Sequence, residues 1–253
     1  MADRLKGKVA IVTGGAKSLG MHFATALAKE GARVAIGDIA DGKETAHAIS
    51  EVTGAECFYL PLDVSREESV EAFTAEVMDR WGRVDILLNN AALFAALPQR
   101  SYRDIPVEEW DRVQAINLRG PFLMVKHVGP IMEAQESGRI INISSGTAYK
   151  GMPRLLSYVT SKAGILGFTR TLARELGPKN ITVNSLAPGL IESESVRGAP
   201  EHLTFSDKVV ASRAMPRTGH PQDLVGALVF LASDDSAFVT GQTLAVDGGS
   251  VTL

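Results

Sequence analysis

The sequence predicts an α/β fold, one doubly wound parallel sheet flanked by helices on both faces, and three observations predict it. Short apolar runs rich in Val and Ile alternate with longer amphipathic stretches along the whole chain. The short runs are apolar at nearly every position, as expected of strands buried on both faces of their sheet. A glycine-rich turn follows the first run, where such sheets place a phosphate-binding loop.

Strands are read, in order, at 9–12, 33–36, 58–60, 84–88, 140–143, 181–183 and 244–246. The first ends at Thr13-Gly14-Gly15, and the helix after it, 19–29, is rich in alanine. Further helices are read at 67–81, 108–132, 155–176 and 222–232, where apolar residues recur every three to four positions. No linker, repeat or low-complexity tract divides the chain, so one domain spanning 1–253 is expected. The exception to the alternation is 188–219. Beyond Pro188 it holds two more prolines and mixed charges, with a weak helical patch at 207–211. Connections this long inside a compact domain are commonly lids, and we read it as a substrate-covering lobe.

Composition narrows the function. With 45% hydrophobic and 22% charged residues, the chain has the make-up of a packed globule. Its net charge is −3 and it has no dense Lys/Arg stripe with interleaved aromatics, which argues against a nucleic-acid partner. Cys57 is the only cysteine, so it forms neither an intrachain disulfide nor a Cys-rich zinc site, and an inert thiol is expected. The five histidines show no His-x-x-x-His pairing, and no protein-bound metal is expected. Residues 1–8 are polar and lack the apolar core of a signal peptide, and no apolar run has the length of a membrane span. A cytoplasmic protein with no membrane partner is expected.

The run Thr13-Gly14-Gly15-Ala16-Lys17-Ser18-Leu19-Gly20 joins strand to helix. Glycines there let the backbone approach a pyrophosphate, and the helix start supplies free N–H groups and a favourable dipole. Eighteen residues beyond Gly20 lies Asp38, placed to accept hydrogen bonds from the adenosine ribose and to repel a 2′-phosphate. Ile39 beside it brings no positive charge, so NAD is favoured over NADP. Lys17 pulls the other way, but a carboxylate close to a dianion should dominate.

Tyr158 and Lys162 stand four residues apart in the predicted helix 155–176, on one face about a turn apart, with Ser145 thirteen residues upstream of the tyrosine. A phenol titrates near 10, and a nearby fixed cation lowers that value, so the pair looks like a tuned acid/base.

Taken jointly, the run 13–20, Asp63-Val64, Asn89-Asn90-Ala91-Ala92, Asn117, Ser144-Ser145, Tyr158-x-x-x-Lys162, Pro188-Gly189 and the C-terminal run 240–249 resemble the short-chain dehydrogenase/reductase family over essentially the whole chain. The resemblance implies a Rossmann-like fold and an NAD-dependent oxidoreductase. Ser145 would hold and polarise the substrate oxygen, and Tyr158 would exchange its proton. Lys162 would lower the Tyr158 pKa and bind the nicotinamide ribose, while Asn117 would kink its helix and hold a water linking Lys162 to a proton relay. Gly14, Lys17, Ser18, Leu19 and Gly20 would cradle the pyrophosphate, Asp38 and Ile39 would meet the ribose, and Asp63 and Val64 the adenine. Asn90 would support the cofactor side of the fourth strand, and Pro188-Gly189, with Ile191 and Ser193, would border the nicotinamide. Three positions depart from the family pattern: Ser18 and Ala92 stand where glycines are usual, and Ser193 replaces a common threonine. The helices 108–132 and 155–176 resemble those that pair subunits in family tetramers, so a homotetramer is expected.

Ligands in such folds sit beyond the carboxyl ends of the strands. That places Leu93, Phe94, Ala95, Ala96, Leu97, Thr147, Met152, Leu155 and Leu156 at the substrate, with Val196, Leu203 and Phe205 from the lobe. An apolar lining is expected, and with it a small-molecule secondary alcohol with a hydrophobic or aromatic substituent, interconverted with its ketone. Thr147, Glu192 and His202 would serve a polar substrate. The alternatives are an NADP-dependent 3-oxoacyl reductase, a sugar or steroid dehydrogenase, and a non-catalytic dinucleotide-binding sensor or scaffold.

Overall fold

Every predicted apolar run becomes a strand of one parallel sheet. In the computed structural model, which describes residues 3–198 and 206–251, the strands are β1 (Val9–Thr13), β2 (Arg33–Asp38), β3 (Cys57–Pro61), β4 (Ile86–Asn89), β5 (Gly138–Ile143), β6 (Ile181–Pro188) and β7 (Thr243–Val246). Their order is β3-β2-β1-β4-β5-β6-β7. The chain builds outward from β1 to β3, then returns to lay β4 on the other side of β1. At that reversal the connections leave the carboxyl ends in opposite directions and open a crevice.

Helices α1 (Ser18–Lys29), α2 (Lys43–Thr53), α3 (Glu67–Trp81), α4 (Val107–Gln114), α5 (Gly120–Gln135), α6 (Thr147–Lys150), α7 (Leu156–Leu176), α8 (Glu194–Arg197), α9 (Ser206–Ala211) and α10 (Gln222–Ala232) complete the chain. Alternate β1 side chains serve opposite faces, as the two-residue period of a strand requires. Ala10 and Val12 share a core with Phe23 and Leu27 of α1 and Leu228 of α10. Val9 and Ile11 share the other with Phe73 and Val77 of α3 and Met124 of α5. Among the described residues no helix is long and apolar enough to cross a membrane.

Two departures from the predicted elements have physical causes. Helix α2 was not anticipated, because only Ala46 and Ile49 of its residues are buried, and two inward side chains make a faint periodic signal. The single helix expected over 108–132 is instead α4, a π turn at Ala115–Arg119, and α5. Pro121 has no N–H to offer the Asn117 carbonyl, so the α ladder is interrupted where the π turn lies. Gly120 follows it where a Cβ would come within 2.8 Å of Val64 Cγ2, so only glycine lets the helix pack this closely on the loop after β3.

A buried polar line ties α7 to the sheet. Asn142 of β5 donates to Thr169 Oγ1 of α7 at 3.0 Å and accepts from Asn89 of β4 at 2.9 Å. The segment leaving β6 is pinned at both ends, since Ile191 and Gly219 form a parallel bridge. Arg213, just past α9, donates to the carbonyls of Leu190 and Arg217, each at 2.6 Å.

Candidate active site

The carboxyl ends of the strands surround a cavity of about 950 Å³. Its floor is the turn after β1. Gly14 has φ +64°, and a Cβ on it would lie 2.8 Å from Ala91 Cα, while a Cβ on Gly20 would lie 1.9 Å from the Gly14 carbonyl oxygen. Both positions therefore exclude any larger residue. The turn is locked to β4: the Thr13 hydroxyl accepts the N–H groups of Asn90 and Ala91, each at 3.0 Å. The Asn90 side chain donates in return to the carbonyls of Thr13 at 2.9 Å and Gly14 at 3.0 Å. Ser18 lies in the left-handed region at φ +54°, where its β-carbon is tolerated poorly. Helix α1 begins with no side-chain cap and no acidic residue in its first turn, which leaves its N–H groups and positive dipole end for an anion.

At the next strand end Asp38 is buried. Its carboxylate accepts the N–H groups of Ala16 and Ala40, each at 3.0 Å, which binds the end of β2 to the glycine turn. A carboxylate has about four acceptor positions, so two remain. Ile39 and Lys17 stand exposed beside it. Asp63 accepts the backbone N–H and the hydroxyl of Ser65 at 2.9 and 2.6 Å. An uncapped helix start, a turn with no room for a Cβ, and a carboxylate with spare acceptors at the neighbouring strand end together fit a dinucleotide.

Beyond β5, the Ser145 hydroxyl accepts from the Thr147 N–H at 3.2 Å and lies 3.0 Å from the Thr147 hydroxyl. Tyr158, in the first turn of α7, hydrogen-bonds Ser145. Lys162 is buried one turn on and donates to the Ile143 carbonyl at 2.7 Å, its Nζ 5.9 Å from the Tyr158 ring centroid. Burial pushes the phenol up to about 12, against the opposing pull of the Ser145 hydrogen bond, and pushes Lys162 down to about 8. In both cases the cause is loss of solvent, which penalises the charged form.

Asn117 is absent from the cavity wall. Its amide oxygen accepts the Leu93 N–H at 2.7 Å, and its nitrogen donates to the Leu93 carbonyl and the Ser161 hydroxyl, each at 3.1 Å. The π turn holds it as a clamp between the loop after β4 and helix α7, where it meets Ser161, next to Lys162 in the chain.

Val64, Leu93, Phe94, Met152, Leu155, Pro188, Gly189, Ile191, Ser193 and Val196 line the wall as expected. The Phe94 and Tyr158 rings lie 4.7 Å apart, tilted by 37°. Three expectations are corrected. Leu97 is buried beneath Tyr158 in the cluster with Val113 and Leu155; Leu156 turns outward, 46% exposed; and Glu192 is not on the wall. The lining is mainly apolar, as expected, but it also carries Lys150, Arg213, Asp247 and Ser250, which were not expected there. Their spacing along the chain gives no signal, although Asp247 lies within the C-terminal run noted above. His202, Leu203 and Phe205 fall outside the described residues. Cys57 is half-buried, and burial pushes its thiol up to about 12, which leaves it a poor nucleophile.

A glycine turn under an open helix start, facing a tyrosine, a serine and a lysine across one cavity, defines a dinucleotide-dependent oxidoreductase. Comparison with known proteins gives the family. The family model described as enoyl-(acyl carrier protein) reductase matches residues 14–251. The short-chain dehydrogenase/reductase eriH of Hericium erinaceus is 38% identical, over 97% of this chain and 98% of its own length. The 3-oxoacyl-[acyl-carrier-protein] reductase FabG of Thermotoga maritima is 37% identical, over 98% of this chain and 99% of its own. The crystal structure of levodione reductase superposes with a TM-score of 0.92 at 31% identity, covering 97% of this chain and 98% of that one. The protein belongs to the short-chain dehydrogenase/reductase family, whose members are oxidoreductases that bind nicotinamide cofactors and act on small molecules.

The Lys162 shift has a consequence for stability. Its depressed pKa means that the unfolded chain binds the proton more readily than the folded one between about 8 and the ordinary 10.5. The Lys162 contribution is therefore full above that range and is lost as pH falls through about 8. Tyr158, raised, acts in the opposite sense and only above its ordinary 10.0. Urea unfolding of the wild type should show stability rising from pH 8 toward 10, with a smaller slope in Lys162→Met; equal slopes would refute the assignment.

Proposed function

We propose that this protein is an NAD-dependent alcohol dehydrogenase and ketone reductase, acting on a secondary alcohol that carries a hydrophobic or aromatic substituent. The observation that carries the reading is the convergence of Ser145, Tyr158 and Lys162 on one end of a cavity whose other end is the glycine turn. NAD would be held at its phosphates by Gly14, Lys17, Ser18, Leu19 and Gly20, at its adenosine by Asp38, Ile39, Asp63 and Val64, and at its nicotinamide end by Pro188, Gly189, Ile191 and Ser193. When bound, it supplies hydride transfer at the nicotinamide ring.

The chain's own contribution is to orient the substrate and manage one proton. The Ser145 hydroxyl donates to the substrate oxygen and holds it beside Tyr158. Tyr158 takes the hydroxyl proton from the alcohol on oxidation and returns it to the ketone oxygen on reduction. Lys162 lies close enough to the ring to stabilise the phenolate that accepts this proton on oxidation and is left behind on reduction. Asn117 keeps the wall and the catalytic helix in register through Leu93 and Ser161. Phe94, Met152 and Leu155 form an apolar surround in which these interactions are stronger than in water; it also supports the hydrophobic substituent. The stretch 188–219 would cover the substrate, and support comes from Val196 and Val209 on the cavity wall.

An NADP-dependent 3-oxoacyl reductase is the second reading, favoured by the 37% identity to the FabG relative and by Lys17 standing exposed at the turn. A sensor or scaffold has no use for a buried, acceptor-bound lysine beside a buried tyrosine, which speaks against a non-catalytic role.

With a panel of secondary alcohols read by NADH absorbance, Tyr158→Phe should lower kcat by about a thousandfold while NADH still binds; retained turnover would sink the assignment. The wild type should prefer NADH, and Asp38→Ala should shift the NADH/NADPH ratio of kcat/KM toward NADPH by about a hundredfold. A wild-type preference for NADPH would support the second reading. Phe122 on α5, Phe238, and Leu244 of the edge strand β7 are apolar and exposed, which supports a homotetramer. Light scattering should report four chains, and a monomer would refute it.

A further inference from the structure

Ser18 stands where the family pattern has glycine, and in a conformation that suits glycine. A residue held in the left-handed region without need of it is kept there by its surroundings, so the contacts of its side chain are informative. The Ser18 hydroxyl accepts the backbone N–H of Ser195 at 3.4 Å. One turn along α1, His22 Nε2 lies 3.4 Å from Glu194 Oε1. Residues 18 and 22 share a face of α1, and Glu194 and Ser195 are the first two residues of α8, so the two contacts form a two-point clasp between the same pair of elements. Glu194 is held below the usual carboxylate range by the backbone N–H at the start of α8 and by His22, and it is ionised at neutral pH.

The clasp bridges two parts of one cavity. Ser18 belongs to the turn at the phosphate end, and Ser193 and Val196, on either side of the clasped residues, line the wall beside Pro188 and Gly189. A dinucleotide spanning the glycine turn and that wall would lie beneath the joint.

We propose that Ser18 and His22 are positioning residues that fasten the start of α8 to the cofactor turn and thereby slow cofactor release. The inference rests on the reading of this cavity as the nicotinamide-cofactor site. A glycine at position 18 relaxes the backbone but surrenders one of the two fastenings. Serine accepts the unfavourable backbone angle and gains the contact.

The test is the release rate of NADH, or of NADPH if the wild type prefers it, from the full-length protein, followed by stopped-flow fluorescence. Ser18→Ala and Glu194→Gln should each raise the off-rate by about three- to tenfold, the loss expected for one modest hydrogen bond or ion pair. The double variant should fall short of the product of the two, because both contacts hold the same joint. Ser18→Gly should release at least as fast as Ser18→Ala; release slower than wild type would show that backbone strain dominates and would overturn the proposal. Glu194→Gln alters an exposed side chain and keeps the test available should the Ser18 variants fold poorly. Off-rates of Ser18→Ala and Glu194→Gln within twofold of a cofactor-binding wild type overturn the clasp alone. A wild type that binds neither cofactor overturns the site reading and the clasp with it.

Discussion

The seam between the carboxyl ends of β1 and β4 is closed by direct backbone approach and fastened by the Thr13 and Asn90 side chains, and the site depends on that. Gly14 sits against Ala91 and Gly20 against the Gly14 carbonyl at separations that leave no room for a single Cβ. Thr13 and Gly14 on one side and Asn90 and Ala91 on the other then share four hydrogen bonds across the same seam. Because the turn is pressed this closely onto the sheet, α1 starts low over the crevice with its N–H groups uncapped. Asp38, two strands from β4, is tied to the same turn through Ala16. Phosphate end and ribose end are thus one rigid unit, built from contacts of a few ångströms between residues far apart in the chain.

The other end of the cavity is organised by burial. Lys162 and Tyr158 are both removed from water, and each is displaced from its ordinary pKa in the direction that favours its neutral form. Holding an ionisable lysine there is a cost in stability that a structural role would not demand, and such costs gather where chemistry is done. The line Asn89–Asn142–Thr169 below and the Asn117 clamp beside it fix α7 against β5 and the loop after β4. The two reactive side chains therefore project from a helix whose position is set by hydrogen bonds on two sides.

Much of this was legible beforehand, for reasons particular to each element. The strands were plain because burial on both faces demands continuous apolar runs, and β1, β4, β5 and β6 are buried throughout. Tyr158 and Lys162 were plain because their relation is local, one helical turn. Helix α2 was missed for want of apolar residues. The break at the π turn was expected only from the resemblance, through the kink at Asn117, because the apolar period runs on through it; Pro121 carried the local signal. Leu156 was misassigned because adjacent helical residues point in directions about 100° apart, and only docking of α7 decides which of Leu155 and Leu156 faces the cavity.

By itself, the sequence determined the sheet, the glycine turn and the pairing of Tyr158 with Lys162, since these rest on periodicity and short spacing, and its motifs taken together carried the resemblance to the family. Only the tertiary structure decided that Lys150, Arg213, Asp247 and Ser250 join the cavity wall from three separate stretches. It alone decided that burial raises Tyr158 and lowers Lys162, and that Ser18 meets Ser195 across 177 positions. Local patterning is set by bonds along the chain, whereas solvent exclusion and contacts between distant segments exist only once the chain has closed on itself.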